Sequence, residues 1–147
     1  MHARAEYLKS TLNLRPHPEG GHYGEVYKSP SSVHVSDGRG PRAAVTTIFF
    51  LLVEGEISRW HRVRSDEVWH YYEGDPLELF VMDARGASVT RQLLGPVEGA
   101  VRPVHTVPAD VWQAARSTGA YTLVGCTVAP GFEFSGFELA PEGWSPR

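Results

Sequence analysis

Residues 55–74 read Gly-Glu-Ile-Ser-Arg-Trp-His-Arg-Val-Arg-Ser-Asp-Glu-Val-Trp-His-Tyr-Tyr-Glu-Gly, and this stretch decides the fold. His61 and Glu67 lie in two short β-type segments that Gly55 and Gly74 bound. An imidazole and a carboxylate on neighbouring strands can form an acid/base pair or ligate Fe, Mn, Ni, Zn or Cu. The alternative is a surface histidine and a solvated glutamate in a turn. The spacing of the glycines favours a pair that faces the interior of a small β-barrel.

The rest of the chain predicts an all-β fold with a short N-terminal helix over residues 3–12. Short strands at regular spacing, separated by turn signals such as Glu-Gly-Asp-Pro, are typical of a sandwich or closed barrel. Residues 29–42 predict a loop with a β-like segment at 33–35. The predicted strands cover residues 22–28, 44–53, 57–62, 67–72, 77–83, 88–94, 101–107, 111–115, 121–128 and 134–139.

Length and composition predict one domain over residues 1–147, with a barrel core at about 20–140. The formal charge of −3 disfavours binding to nucleic acid or to an anionic membrane. We find no signal-peptide pattern and no apolar run of about 18 residues, so a membrane span is not expected. The single cysteine, Cys126, lies in an apolar β-type run, which predicts a buried thiol in a cytoplasmic protein.

A known motif matches the opening stretch. Gly55, His61, Glu67 and Gly74 stand at the spacing of the first cupin motif, G-x5-H-x-H-x3-E-x6-G, and Val63 takes the place of its second histidine. The motif favours a small barrel with polar groups aimed inward. The missing histidine indicates that the usual metal site is damaged.

The second cupin motif, G-x5-P-x-G-x2-H-x3-N, is only weakly present. Pro108 matches it, Asp110 replaces a turn glycine, and Gln113 stands where the last histidine would be. Aspartate tolerates a positive φ, and glutamine is a weak ligand but a good hydrogen-bonding group. We therefore expect no bound cofactor. The alternative is a divalent transition metal held by His61, Glu67 and Gln113.

Several segments together resemble the small single-domain cupin-5 family, and the resemblance runs from about residue 8 to 139. It implies a double-stranded β-helix (the cupin jelly-roll barrel) and usually a homodimer. It also implies a fold similar to those of sugar-nucleotide epimerases and seed storage proteins, but no settled reaction. Asp110 departs from the glycine usual in the family. The segments are residues 17–23, 60–62, 65–70 and 107–115.

Other side chains are candidates for binding a substrate. Trp69 shares a strand face with Glu67, whereas Trp60 and Trp112 point away from their neighbours His61 and Gln113. Gln113 would orient the substrate or stabilise an enolate-like oxygen. The full substrate-binding set is Gln113, Trp69, Glu19, Tyr23 and Val63.

Each of these assignments has a structural alternative. Glu19, beside the Gly20-Gly21 turn, either faces the barrel mouth or caps a loop amide, and Tyr23 can be a core residue. The expected apolar walls are Phe49, Leu51, Phe80 and Met82. A last group, Arg59, Arg62 and Arg64, forms surface ion pairs or meets an anionic ligand at the rim.

The leading hypothesis is a metal-free enzyme that binds a small metabolite in the barrel interior. His61 and Glu67 would transfer a proton in an epimerase, isomerase or lyase reaction. One alternative is a metal-dependent dioxygenase or lyase. Another is a cupin that binds a metabolite without catalysis, or a dimeric scaffold. Fold alone does not distinguish them.

Overall fold

The structure is a computed structural model that describes residues 2–82, 88–141 and 143. It confirms the all-β prediction, because two antiparallel sheets face each other in a cupin-type jelly roll and one short helix precedes them. The end of the strand predicted at 77–83 lies outside the described residues. No helix in the described part of the chain is long and apolar enough to cross a membrane.

The helix α1 spans Ala3–Thr11, within the predicted range. The strands are β1 (Arg15–Pro16), β2 (His22–Lys28), β3 (Ser32–His34), β4 (Pro41–Ala43), β5 (Thr46–Val53), β6 (Ser58–Val63), β7 (Asp66–Gly74), β8 (Leu77–Met82), β9 (Val89–Leu94), β10 (Val104–Val107), β11 (Gln113–Ser117), β12 (Tyr121–Ala129) and β13 (Phe137–Leu139). A 3-10 turn, Phe134–Gly136, precedes β13. The sequence did not predict β1 or β4.

The strand order brings distant parts of the chain together. One sheet has the order β1-β2-β5-β12-β7-β10 and the other β13-β6-β11-β8-β9, while β3 and β4 form a separate hairpin. In the first sheet Val128 of β12 pairs with Glu67 of β7, and in the second Gln113 of β11 pairs with His61 of β6. The candidate residues therefore enter the interior from both sheets.

The space between the sheets holds the main hydrophobic core. Its apolar members alternate along their strands, as a buried sheet face requires. Burying such side chains contributes about 25 cal/mol per Å² of apolar surface removed from water. The buried members are Phe50, Leu52, Trp69, Leu77, Leu79, Val81, Leu94, Val107, Ala115, Val124 and Cys126.

The prediction of which side chains form the apolar walls of the interior is wrong, because the predicted residues alternate with those that face inward. Leu51 packs with α1 on the outside of the first sheet, where Phe49 joins the same cluster, and Phe80 lines an outer groove of the second sheet. Met82 is buried at the end of β8 but lies outside the main core cluster. The run Ile48-Phe49-Phe50-Leu51-Leu52 is apolar on both faces, because α1 covers the outer one. Without alternation the sequence gives no signal of which face is inside.

Two turns next to the predicted site take unusual backbone angles. Asp110 has φ +67, which confirms that an aspartate replaces the turn glycine in a left-handed conformation. Gly20 has φ +109, and a side chain there would collide with the carbonyl oxygen of Ile57. Glycine is required at position 20 because the turn presses directly on the chain that leads into β6.

Candidate functional site

A cavity of about 40 Å³ lies between the sheets, which is room for a few water molecules. Its polar lining is His17, Glu19, Thr46, His61, Glu67 and Cys126. Its apolar lining is Tyr23, Ile48, Val63, Val128 and Phe132. A cluster of ionisable groups buried around a cavity is typical of a functional site, so this cavity is the candidate site.

The His61 ring is fixed in one tautomer. Its Nδ1 lies 2.6 Å from the carbonyl oxygen of Arg59, which can only accept, so Nδ1 carries the hydrogen. Nε2 therefore presents a lone pair, and it lies 3.4 Å from Oε2 of Glu19. Burial lowers the pKa of His61, although the negative field of Glu67 and the Arg59 carbonyl oppose that shift. His61 is a neutral base held in a defined orientation.

Glu19 reaches the cavity because residues 17–21 form a tight turn that docks on β6. The amide of Arg59 donates to the Glu19 carbonyl oxygen at 2.7 Å, and the Ser58 hydroxyl donates to Oε2. Burial raises the pKa of Glu19 to about 8, against the opposing effect of the Ser58 hydrogen bond. At neutral pH Glu19 is mainly a protonated carboxylic acid.

His17 supports this turn from inside. Its Nδ1 accepts the Glu19 amide at 3.1 Å, so the imidazole is a neutral acceptor at that atom. Burial and the neighbouring His61 lower the pKa of His17 to about 4. Tyr23 packs edge-on against it, with ring centroids 4.7 Å apart.

Glu67 is held by a chain of hydrogen bonds that joins the two sheets. Gln113 Nε2 donates to Glu67 Oε1 at 2.8 Å, and Trp69 Nε1 donates to Gln113 Oε1 at 2.9 Å. Because an indole N–H can only donate, it fixes the amide with its NH2 group toward Glu67. Burial raises the pKa of Glu67 to about 7, while His61 and Gln113 act against that shift and Glu19 adds to it.

The structure brings most of the predicted site residues together, with two corrections. His61, Glu67, Glu19, Tyr23 and Val63 all line the cavity. Gln113 and Trp69, which were predicted to bind a substrate, do not line the cavity. Both are fully buried behind Glu67 and use their polar groups on each other and on its carboxylate.

The predicted pairing of His61 with Glu67 is also indirect. The Glu67 carboxyl and the His61 imidazole line the same cavity, and each shifts the pKa of the other. Among the described residues, however, the carboxylate within ion-pair distance of His61 is that of Glu19. The site is thus a group of two carboxyls and two imidazoles rather than one pair.

Sequence reasoning missed His17, Ser58 and the cavity position of Cys126. On a regular strand Ser58 and His61 would point to opposite faces. A bulge in the pairing of β6 with β11, between Gln113 and Ala115, lets both residues point inward. No sequence signal marks that bulge. His17 could have been found, since it stands two residues before Glu19 in the same turn.

Cys126 is buried as predicted and lies beside Glu67. Burial, together with the fields of Glu67 and Glu19, raises the pKa of its thiol well above the usual range. The group stays protonated at neutral pH, so it does not act as a thiolate nucleophile.

The side chains around the cavity do not fit the cupin metal site. Val63 offers no donor atom, and the Gln113 oxygen is turned away toward Trp69. Both cavity carboxyls have raised pKa values, which weakens them as anionic ligands. No group of three or more histidine, cysteine, aspartate or glutamate side chains within the described residues has a geometry that could hold a metal ion.

Comparison with solved structures finds proteins of the same fold. A hypothetical protein from Leishmania major is 37% identical, with 92% of this chain and 86% of that chain covered and a TM-score of 0.86. A protein from Shewanella oneidensis is 32% identical, with 95% and 85% covered and a TM-score of 0.83. Oxalate decarboxylase from Bacillus subtilis shares the fold at 11% identity, with 88% and 30% covered and a TM-score of 0.63.

Comparison with curated proteins found no match. The family Cupin_5, described as "Cupin superfamily (DUF985)", matches residues 6–140, which include most of α1, both sheets and every residue of the cavity. The chain therefore belongs to the Cupin_5 family of the cupin superfamily.

Proposed function

We propose that this cupin is a small-molecule enzyme that moves a proton within a carbonyl metabolite whose reacting end enters the barrel interior. The observation that carries the proposal is the position of Glu67, a buried carboxyl whose pKa is raised to about 7 and which lies beside the neutral, oriented His61. Groups that exchange protons near neutral pH are the ones that general acid–base catalysis needs.

The residues suggest a division of labour. His61 Nε2, with its lone pair toward the cavity, takes a proton from a carbon next to the carbonyl group, and the C–H electron pair forms an enol double bond. Glu67 in its protonated form gives its proton to the carbonyl oxygen. In an epimerisation His61 returns its proton to the same carbon while the enol hydroxyl gives its proton back to Glu67. In an isomerisation the proton goes to the neighbouring carbon while the other hydroxyl of an enediol loses its proton to Glu67, so neither reaction has a net oxidation.

Two residues act through others. Gln113 holds Glu67 in place, and its orientation depends on Trp69. Glu19, mainly protonated at neutral pH, stands against Nε2 of His61 and keeps negative charge away from the cavity. A low charge in the cavity suits a carbonyl group that becomes anionic only in the transition state. We class Gln113 and Glu19 as positioning residues.

The test is deuterium incorporation. The purified protein is incubated in D2O with a panel of small carbonyl metabolites and sugar nucleotides, and mass spectrometry detects exchange of carbon-bound hydrogen. We expect exchange that Glu67→Gln and His61→Ala abolish. The control is Glu138→Gln, a surface carboxylate paired with Arg62 at 2.9 Å, which leaves exchange intact. Exchange that survives Glu67→Gln and His61→Ala contradicts the proposal. Saturable binding of a metabolite without exchange would assign a binding function instead.

We also infer that the protein is a homodimer. Large apolar side chains stay exposed on the surface, including Ile57, Tyr27 and Tyr72. Association of two copies would remove part of this surface from water. Sedimentation velocity at micromolar concentration tests the inference, and a single species of monomer mass contradicts it.

A further inference from the structure

A second pocket adjoins the cavity that holds Glu19 and Glu67, which we call the acid cavity. Val63, Val128 and Phe132 line both the acid cavity and this pocket. Its polar lining includes Arg39, Arg42, Arg64 and Ser65, and we call these four residues the arginine pocket. Sequence analysis singled out only Arg64, because the other three come together through the fold.

The arginine pocket carries an excess of positive charge. Three guanidinium groups meet there, and the neighbouring carboxylates are Asp37 and Glu133. Asp37 lies 2.7 Å from Arg39 and 3.3 Å from Arg64. Arg42 has no ion-pair partner among the described residues, and one of its N–H groups donates to the Pro41 carbonyl at 3.0 Å. One guanidinium is therefore free to bind an added anion.

Arg39 is a fixed part of the fold rather than a solvated surface residue. Its side chain is only 7% exposed. Its Nη1 donates to the Ser65 hydroxyl at 3.1 Å, and Ser65 is itself buried. A guanidinium held in this way loses little conformational entropy when it binds a carboxylate or phosphate.

Asp37 pairs with two of the guanidinium groups that an external anion would bind. Desolvation alone would raise its pKa, but the Arg39 amide and the charges of Arg39 and Arg64 outweigh it and lower the pKa. The loop that carries Asp37 is not packed on the barrel at Gly38 and Gly40, where a side chain would meet nothing within 4 Å. Nothing in those contacts prevents the carboxylate from giving way to a ligand.

We infer that the arginine pocket binds the carboxylate or phosphate group of the substrate, while the carbonyl end of the same molecule passes Val63 and Phe132 into the acid cavity. The inference rests on the proposed function and names its substrate class as small anionic carbonyl metabolites. Bidentate recognition of an oxyanion is the strength of arginine. The arginine pocket then holds the anionic group of the substrate, and the acid cavity exchanges its protons.

The test measures anion binding directly and needs no turnover. The full-length 15N-labelled protein is titrated with inorganic phosphate and, separately, with malonate, while sodium chloride keeps the ionic strength constant. NMR follows the arginine Nε–Hε signals and the backbone amides of residues 37–40. We expect saturable shifts with at least one probe. Saturation by phosphate alone assigns a phosphate ligand, and saturation by malonate assigns a carboxylate.

Variants give the test its controls. Arg42→Gln should weaken binding at least tenfold, whereas Arg62→Gln, paired with Glu138 outside the pocket, should leave it unchanged. Asp37→Asn should tighten binding about three- to tenfold because it removes the internal competitor. Shifts that do not saturate with either probe, or equal affinity in Arg42→Gln and wild type, would overturn the inference.

Glu67→Gln separates this inference from the proposed function. That variant should lose deuterium exchange but keep anion binding, since the arginine pocket is intact. If exchange depends on Glu67 while no anion binds, the proposed function stands and the arginine pocket is excluded as an anchor. If anions bind but Glu67→Gln does not affect exchange, the proposed reaction fails and the anion site remains.

Discussion

Two glutamates with equal exposure behave in opposite ways. Glu67 in β7 and Glu78 in β8 are each 8% exposed. Hydrogen bonds from Arg91 and Arg116 lower the pKa of Glu78, whereas burial beside the neutral Gln113 raises that of Glu67 to about 7. At Glu78 the two guanidinium partners outweigh the effect of desolvation, whereas at Glu67, whose hydrogen-bond partner Gln113 is neutral, desolvation dominates. The protein neutralises its structural carboxylate and leaves its cavity carboxyls without a cation.

The largest expected difference between the two glutamates is in activity. Glu67→Gln should lower the rate of deuterium exchange about 100- to 10 000-fold, the usual contribution of one acid–base group. Glu78→Gln should keep the exchange rate and lose about 1 kcal/mol of stability, because Arg91 and Arg116 are half-exposed and find water instead. Equal losses of activity in both variants would remove the distinction.

The second difference is in the pH dependence of stability. The pKa values of folded Glu67 and Glu19 lie near 7 and 8, above the ordinary value of 4.5. Between pH 6.5 and 8.5 the native state holds protons that the unfolded chain has lost, so the free energy of unfolding falls as pH rises. The expected loss is on the order of 1–3 kcal/mol per group.

The range from pH 6.5 to 8.5 separates the effect of the two glutamates on stability from that of the histidines. The lowered pKa values of His17 and His61 act below about pH 6.5, where they make stability rise with pH instead. Urea unfolding of wild type, Glu67→Gln and Glu19→Gln at pH 6.5 and 8.5 measures the slope. Each variant should flatten it and exceed wild type in stability at pH 8.5. A wild-type slope of zero would mean that neither carboxyl is protonated at neutral pH.

The third comparison sets Gln113 against Gln92 in β9. Gln113→Leu leaves the Trp69 N–H and the Glu67 carboxylate unpaired, which should cost about 1–3 kcal/mol. Gln92 has an Oε1 atom that finds no hydrogen-bond partner among the described residues, so Gln92→Leu should cost nothing. Chemical denaturation followed by tryptophan fluorescence measures both. A cost in Gln92→Leu that matches Gln113→Leu would show that the bridge between the sheets adds no stability.

The smallest effect concerns two buried serines. Ser58 donates to Glu19, and Ser65 accepts from Arg39. Ser58→Ala removes a bond that lowers the pKa of Glu19, so this pKa should rise further above about 8. Ser65→Ala should leave it unchanged. Titration of the Glu19 carboxyl by 13C NMR distinguishes them, and an unchanged pKa in Ser58→Ala would contradict the contact.

The fold could be predicted because its signals are local. Strand β2 matches its predicted bounds, and the spacing of Gly55, His61, Glu67 and Gly74 identified the barrel before any contact was known. Asp110 replaces a turn glycine, and the positive φ that aspartate tolerates is the one it takes. Turn chemistry and strand periodicity are written in neighbouring residues, so sequence reasoning reaches them.

The site was predicted only in part, because it depends on register and on contacts between sheets. The bulge opposite Ser58 leaves no mark in the sequence. The orientation of Gln113 follows from Trp69 on the other sheet, and the apolar run in β5 hides which of its faces is inside. The arginine pocket joins Arg39 to Ser65, which lies 26 positions further along the chain. Such features need three-dimensional partners.

The contact of Gly20 with the Ile57 carbonyl makes one nearby amide hydrogen a probe of local opening. The Arg59 N–H is bonded to the Glu19 carbonyl oxygen, so it meets solvent when the turn at residues 17–21 lifts from β6. The same lifting carries Glu19 out of the cavity and enlarges the entrance. Hydrogen exchange at that amide therefore measures how often the barrel mouth opens, in the resting protein and without a substrate.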